Sequence, residues 1–135
     1  MAELGHIPGT KNYRNIERFE VNEGNSDFLI LRFDEKLYFG NASFFKLKIE
    51  KFLDQRNGTV KHLLLDAKCI HEIDSSGLHA IDEVIQMLEN RGIQFYFCGA
   101  IGPTRDILQK SGLYDKIGKN NHFLSIHEAV EHLNA

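Results

Sequence analysis

Asp74, Ser75, Ser76 and Gly77 stand in a row between an apolar run and a helical pattern. The run, His62-Leu63-Leu64-Leu65-Asp66, reads as a buried strand. The pattern sets Leu78, Ile81, Ile85 and Leu88 at helical intervals. Asp and Ser cap helix starts because a short side-chain oxygen accepts a hydrogen bond from an unpaired amide. Two hydroxyls therefore sit where free amides and the positive end of a helix dipole favour an added anion. The chemistry on offer is a phosphorylation switch or an anion contact, and a plain helix cap uses the same residues. Asp74 is expected to accept backbone bonds. Ser76 can serve the cap whether or not Ser75 is modified. Gly77 lets another stretch of backbone, or a ligand, come close to the helix start.

A second junction, Gly99-Ala100-Ile101-Gly102-Pro103-Thr104, also follows a strand pattern and precedes a helical one. It lacks the G-K-[ST] ending of a phosphate-binding P-loop and the three-glycine spacing of a dinucleotide loop. In a parallel sheet both junctions lie at the carboxyl ends of strands, where ligands bind. Gly99, Gly102 and Thr104 are the candidates for a weak nucleotide or anion contact. His127 and His132 are five apart, one position too far for H-E-x-x-H, and do not share a helix face. No metal site is expected. No serine has the surroundings of a nucleophile elbow, and no cofactor motif is present. Cys69 and Cys98 form no C-x-x-C pair and read as packing residues.

These sites need a framework. Leu37 to Phe39 reads as a short strand, and a helix starts near Asn41 with Phe45, Ile49, Phe52 and Leu53 on its apolar face. Phe44 breaks that face and is the candidate for contact with another domain or subunit. Gly5 to Asn12 reads as a linker-like stretch, within a lead-in of residues 1–14. Ile16 to Val21 alternates like an edge strand, Asn22 to Asp27 like a turn, and Phe28 to Phe33 is strongly strand-like. Strands follow near His62 and Ile93, and helices near Ser76, Thr104 and Ser125. Tyr114 to Gly118 reads as a short extended piece. Strands alternating with helices call for an α/β fold, a mixed sheet of about five strands covered by four helices. The 135 residues suit one domain. A net charge of −3, with both signs spread along the chain, speaks against nucleic acid as a partner. No apolar run approaches the ~20 residues of a membrane span, and Met1-Ala2-Glu3 is no secretory signal.

The run from Leu63 to Ile81, with D-S-S-G-L at its centre, resembles the signature of the STAS domain. Leu4 to Thr10, Tyr13 to Arg18 and Leu37-Tyr38-Phe39-Gly40-Asn41-Ala42 resemble the C-terminal cytoplasmic domain of SulP-type anion transporters. The resemblance runs from about Leu4 to Leu133. It implies a STAS-type sheet and a non-catalytic regulatory domain at the cytoplasmic face of the inner membrane. Its implied partners are the transporter's own transmembrane domain, a second STAS domain or a cytosolic regulatory protein. Met1 would then be an added start, with the natural chain continuing upstream. The alternative is a free-standing anti-sigma-factor antagonist. In that branch the first serine after the Asp is phosphorylated, which is Ser75 here. An enzyme is the third reading, and it lacks a base, a metal set or a P-loop.

Overall fold

The computed structural model describes residues 1–15 and 27–134. Among them are six strands, β1 (Ala2–His6), β2 (Tyr13–Asn15), β3 (Phe28–Arg32), β4 (His62–Asp66), β5 (Gln94–Cys98) and β6 (His122–Phe123). Five helices accompany them, α1 (Ala42–Gln55), α2 (Ser75–Asn90), α3 (Gly102–Ser111), α4 (Leu113–Ile117) and α5 (Ile126–Leu133). The strands form one mixed sheet in the order β2-β1-β3-β4-β5-β6, with β3 to β6 parallel and β1 antiparallel to both neighbours.

Successive strand residues point to opposite faces of a sheet, so a strand covered on both sides is apolar throughout. Leu29, Leu31, Leu63, Leu65, Phe95 and Phe97 enter the core beneath α1, α2, α3 and α4. The residues between them, Phe28, Ile30, Leu64, Tyr96 and Cys98, enter a smaller core with Leu4, Ile126 and Ala129 under α5. The helices take their place by the same logic. Phe45, Ile49 and Leu53 bury one stripe of α1, and Ile81, Val84, Ile85 and Leu88 bury one of α2. Lys46–Glu83 and Arg91–Asp54, each at 3.0 Å, tie the two helices side by side in parallel.

The expected architecture is present, with one more strand and one more short helix than expected. The lead-in is not a linker. β1 pairs with β2 and β3, and Leu4 is buried. Pro8 and Gly9 punctuate a hairpin, with Gly9 at φ 79° and the Thr10 hydroxyl donating to Ile7 O at 2.8 Å. Arg56 then fastens β1 to the body, through Glu3 at 3.1 Å and the Phe28 carbonyl at 2.8 Å. Of the piece from Tyr114 to Gly118, Tyr114 to Ile117 is helical rather than extended, and Gly118 caps it. Gly112, at φ 83°, breaks α3 and restarts the chain as α4, whose Leu113 and Ile117 share one buried face. Leu37 to Phe39 makes a single bridge, Leu37 to Ile73, instead of a full strand. The strand expected over 16–21 and the turn expected over 22–27, except for Asp27, lie outside the described residues.

Candidate functional site

In a sheet of this kind the loops after β3, β4, β5 and β6, and the helix starts that follow, gather at one pole. Asp74 is the cap of α2. Its Oδ1 accepts from the Gly77 amide at 2.8 Å and its Oδ2 from the Phe39 amide at 3.0 Å. Each oxygen thus satisfies an amide, one in its own helix and one in a loop 35 residues upstream. The loop is also zipped to the helix start by backbone. Leu37 N donates to Glu72 O at 2.9 Å, and Asp74 N donates to Leu37 O at 3.1 Å.

Gly77 explains why the two can lie so close. A Cβ there would stand 2.5 Å from Leu37 O, well inside contact distance. The approach that needs this glycine is backbone on helix, and Gly77 itself is buried. With Asp74 supplying the cap, neither serine hydroxyl is needed for it. Ser75 is exposed and Ser76 half-buried.

Both serines line a groove of about 580 Å³ between the first turns of α1 and α2. Phe39 and Leu47 form its apolar rim and are 78% and 63% exposed. Lys46, Glu83 and His79 make its polar wall. Glu83 takes Lys46 at 3.0 Å on one oxygen and His79 at 3.3 Å on the other. Phe44 stands in the first turn of α1, 49% exposed. Along the Phe-rich stretch from Leu37 to Phe45, Phe45 is core and Phe39 is not. Leu47 could have been found from sequence, since it falls off the Phe45–Ile49 face and three residues after Phe44. Nothing local in the sequence exposes Phe39. Its amide is fixed by Asp74, and that long-range bond leaves the ring outside.

Ile101, which precedes α3, and Leu124, which precedes the Ser125 cap of α5, are exposed as well. All five exposed large apolar side chains among the described residues therefore lie at the carboxyl-end pole of the parallel strands.

The second junction separates its three candidates. Thr104 is fully buried, and its hydroxyl donates to Ile70 O at 2.7 Å, anchoring α3 to the loop after β4. It has no access to a ligand, which corrects its place in a nucleotide-contact loop. Gly102 is exposed in the first turn of α3, and Gly99 sits at φ 73° beside Asp66. Asp66 closes β4 and accepts from the Lys68 amide at 3.1 Å.

No group of three or more His, Cys, Asp or Glu among the described residues is placed to hold a metal ion. His127 pairs with Glu131 at 3.5 Å, while the His132 ring packs on Phe123. Cys69 and Cys98 are both free thiols. Burial, then the nearby Asp66 and Glu128 carboxylates, push the Cys98 thiol far up, so it stays protonated and inert.

Residues 20–129 match the STAS domain family. The chain belongs to the STAS domain family. It is 32% identical over 137 residues to high affinity sulfate transporter 2 of Stylosanthes hamata, covering 96% of this chain and 21% of that protein. The chain thus spans about a fifth of the length of the curated relatives it matches. Its fold is that of the corresponding part of the murine solute carrier 26 family member A9 anion transporter in the inward-facing state. The TM-score is 0.89 at 21% identity, over 98% of this chain and 22% of that one. The anti-sigma factor antagonist SpoIIAA in its unphosphorylated form shares the fold more loosely. There the TM-score is 0.65 at 18% identity, over 86% of this chain and 96% of that one. As a STAS domain the chain is related to the SulP family of sulfate and other anion transporters. No helix among the described residues is long and apolar enough to cross a membrane.

Proposed function

We propose that this chain is the non-catalytic regulatory domain of a SulP-type transporter of the sulfate and bicarbonate class. It works at the cytoplasmic face of the inner membrane, packed against the transporter's own transmembrane domain. One observation carries this reading, the gathering of every exposed large apolar side chain of the described residues at the pole that holds Ser75. A surface of that kind, with polar residues between the apolar ones, is what a docking face requires. Phe39 and Leu47 supply the apolar anchors and the start of α2 supplies the polar register. A second STAS domain or a cytosolic regulator would meet the same surface. Regulation then needs a ligand, phosphate or partner with different affinity for two arrangements of the assembly.

The exposure of Ser75 favours one other reading, a free-standing antagonist switched by phosphorylation. A phosphate there adds about −1.5 to −2 charge at a helix start that tolerates it. Deleting this domain from the full reading frame separates the two. The transporter reading expects impaired anion uptake or impaired membrane assembly. Unchanged uptake and unchanged membrane abundance would refute it, and a free-standing antagonist has no uptake to lose.

A further inference from the structure

Two matching stripes wall the Phe39–Leu47 groove. Ser43, Lys46, Leu47 and Glu50 follow the i, i+3, i+4, i+7 spacing of one face of α1. Ser76, His79, Ala80 and Glu83 repeat that spacing on α2. Each stripe covers two turns, about 10 Å of helix. Charge is not balanced between them. Lys46 reaches across to Glu83 at 3.0 Å, and His79 takes the other Glu83 oxygen at 3.3 Å. Glu50 lines the same groove, half-buried, one turn beyond Lys46. It joins no ion pair among the described residues. The groove therefore offers the exposed Phe39 and Leu47 side chains and, one turn further along α1, an unmatched carboxylate.

An occupant that completes this pattern carries an apolar and a cationic side chain three or four residues apart on a helix. A purely apolar or acidic occupant would strip water from the Glu50 carboxylate and give it no partner. We infer that the groove takes an amphipathic helix of the transporter's own membrane domain. That helix seats an apolar side chain between Phe39 and Leu47 and a lysine or arginine against Glu50. The inference rests on the transporter reading above and specifies its contact. Cytoplasmic segments beside membrane spans carry an excess of lysine and arginine, the charge that Glu50 lacks. Ala2 pairs with Arg32 at the carboxyl end of β3, so a membrane domain joined ahead of β1 would be tethered at the pole of this groove.

The test is anion uptake and membrane abundance of the full-length protein carrying Glu50→Asp, Glu50→Gln or Glu50→Lys. Glu50→Asp should keep most of the uptake. Glu50→Gln should lower uptake or assembled transporter about threefold, and Glu50→Lys about tenfold. That ranking follows charge, whereas helix propensity alone would make Asp the worst of the three. The isolated chain should keep the parent's thermal midpoint with Gln and Lys. Glu50→Lys no more harmful than Glu50→Gln overturns the inference. If Phe39→Glu with Leu47→Glu still lowers uptake in that case, docking at this pole stands and the cationic helix falls. If that pair is silent too, the docking reading falls with it. A second copy or a lipid surface in the groove also overturns the inference. The isolated chain would then dimerise in sedimentation equilibrium, or bind phosphatidylglycerol vesicles, and lose either property in Leu47→Glu.

Discussion

Asp74 and Gly77 do different work within one turn of helix. Asp74 holds two amides from distant parts of the chain, and Gly77 leaves the space that lets them meet. That a capping residue stood here was legible from its type and its place before an apolar helical pattern. Its second partner was not, because Phe39 is 35 residues away and nothing local marks it. The roles open to Ser76 and Gly77 were resolved by geometry alone, the cap falling to Asp74 and the close approach to Leu37. Gly77→Ala should therefore cost about 1–3 kcal/mol, because a methyl group forced onto a carbonyl must displace backbone. Urea unfolding reads this directly. An unchanged midpoint would show that the loop can move aside at no cost, against the fixed contact described here.

At the level of elements, periodicity sufficed where a strand or helix is long and covered. β3, β4, β5, α1 and α2 all follow from apolar runs and helical spacing. It failed where one or two long-range contacts decide. The β1–β2 hairpin depends on Leu4 reaching the α5-side core and on Arg56 reaching back to Glu3. The α4–β6 corner depends on Gly112 and on His122, whose ring stacks on Tyr114 at 3.7 Å and whose Nε2 donates to the Tyr114 carbonyl at 2.9 Å. Burial holds the His122 imidazole below its ordinary range, with Arg105 acting the same way. The bond to the Tyr114 carbonyl and the Asp115 carboxylate oppose the shift. The unfolded chain therefore takes the proton first. Stability from neutral His122 is complete above the unfolded value of about 6.5 and is lost as pH falls through the folded one. His62, also lowered chiefly by burial, adds in the same direction. The thermal midpoint should fall between about pH 7.5 and about pH 5, and less steeply in His122→Gln. An identical slope in that variant would remove His122 from the account.

On the scale of the whole molecule, a mixed sheet places every parallel strand's carboxyl end, and the helix start that follows it, at one pole. The proposed docking face lies there because a sheet of this kind exposes its helix starts and loop tips at that end. The sequence already pointed to this pole through the row from Asp74 to Gly77 and through Phe44. It could not show that Phe39, Ile101 and Leu124 converge on the same end as Phe44 and Leu47 of α1, since those three come from loops with no shared period. The most direct measurement is anion uptake by the full-length protein carrying Phe39→Glu and Leu47→Glu. Both side chains are already in water, so the thermal midpoint of the isolated chain should not change. If they anchor the domain, uptake or the amount of assembled transporter should drop by about tenfold, as loss of two interface anchors implies. Wild-type uptake with wild-type membrane abundance would contradict docking through this pole.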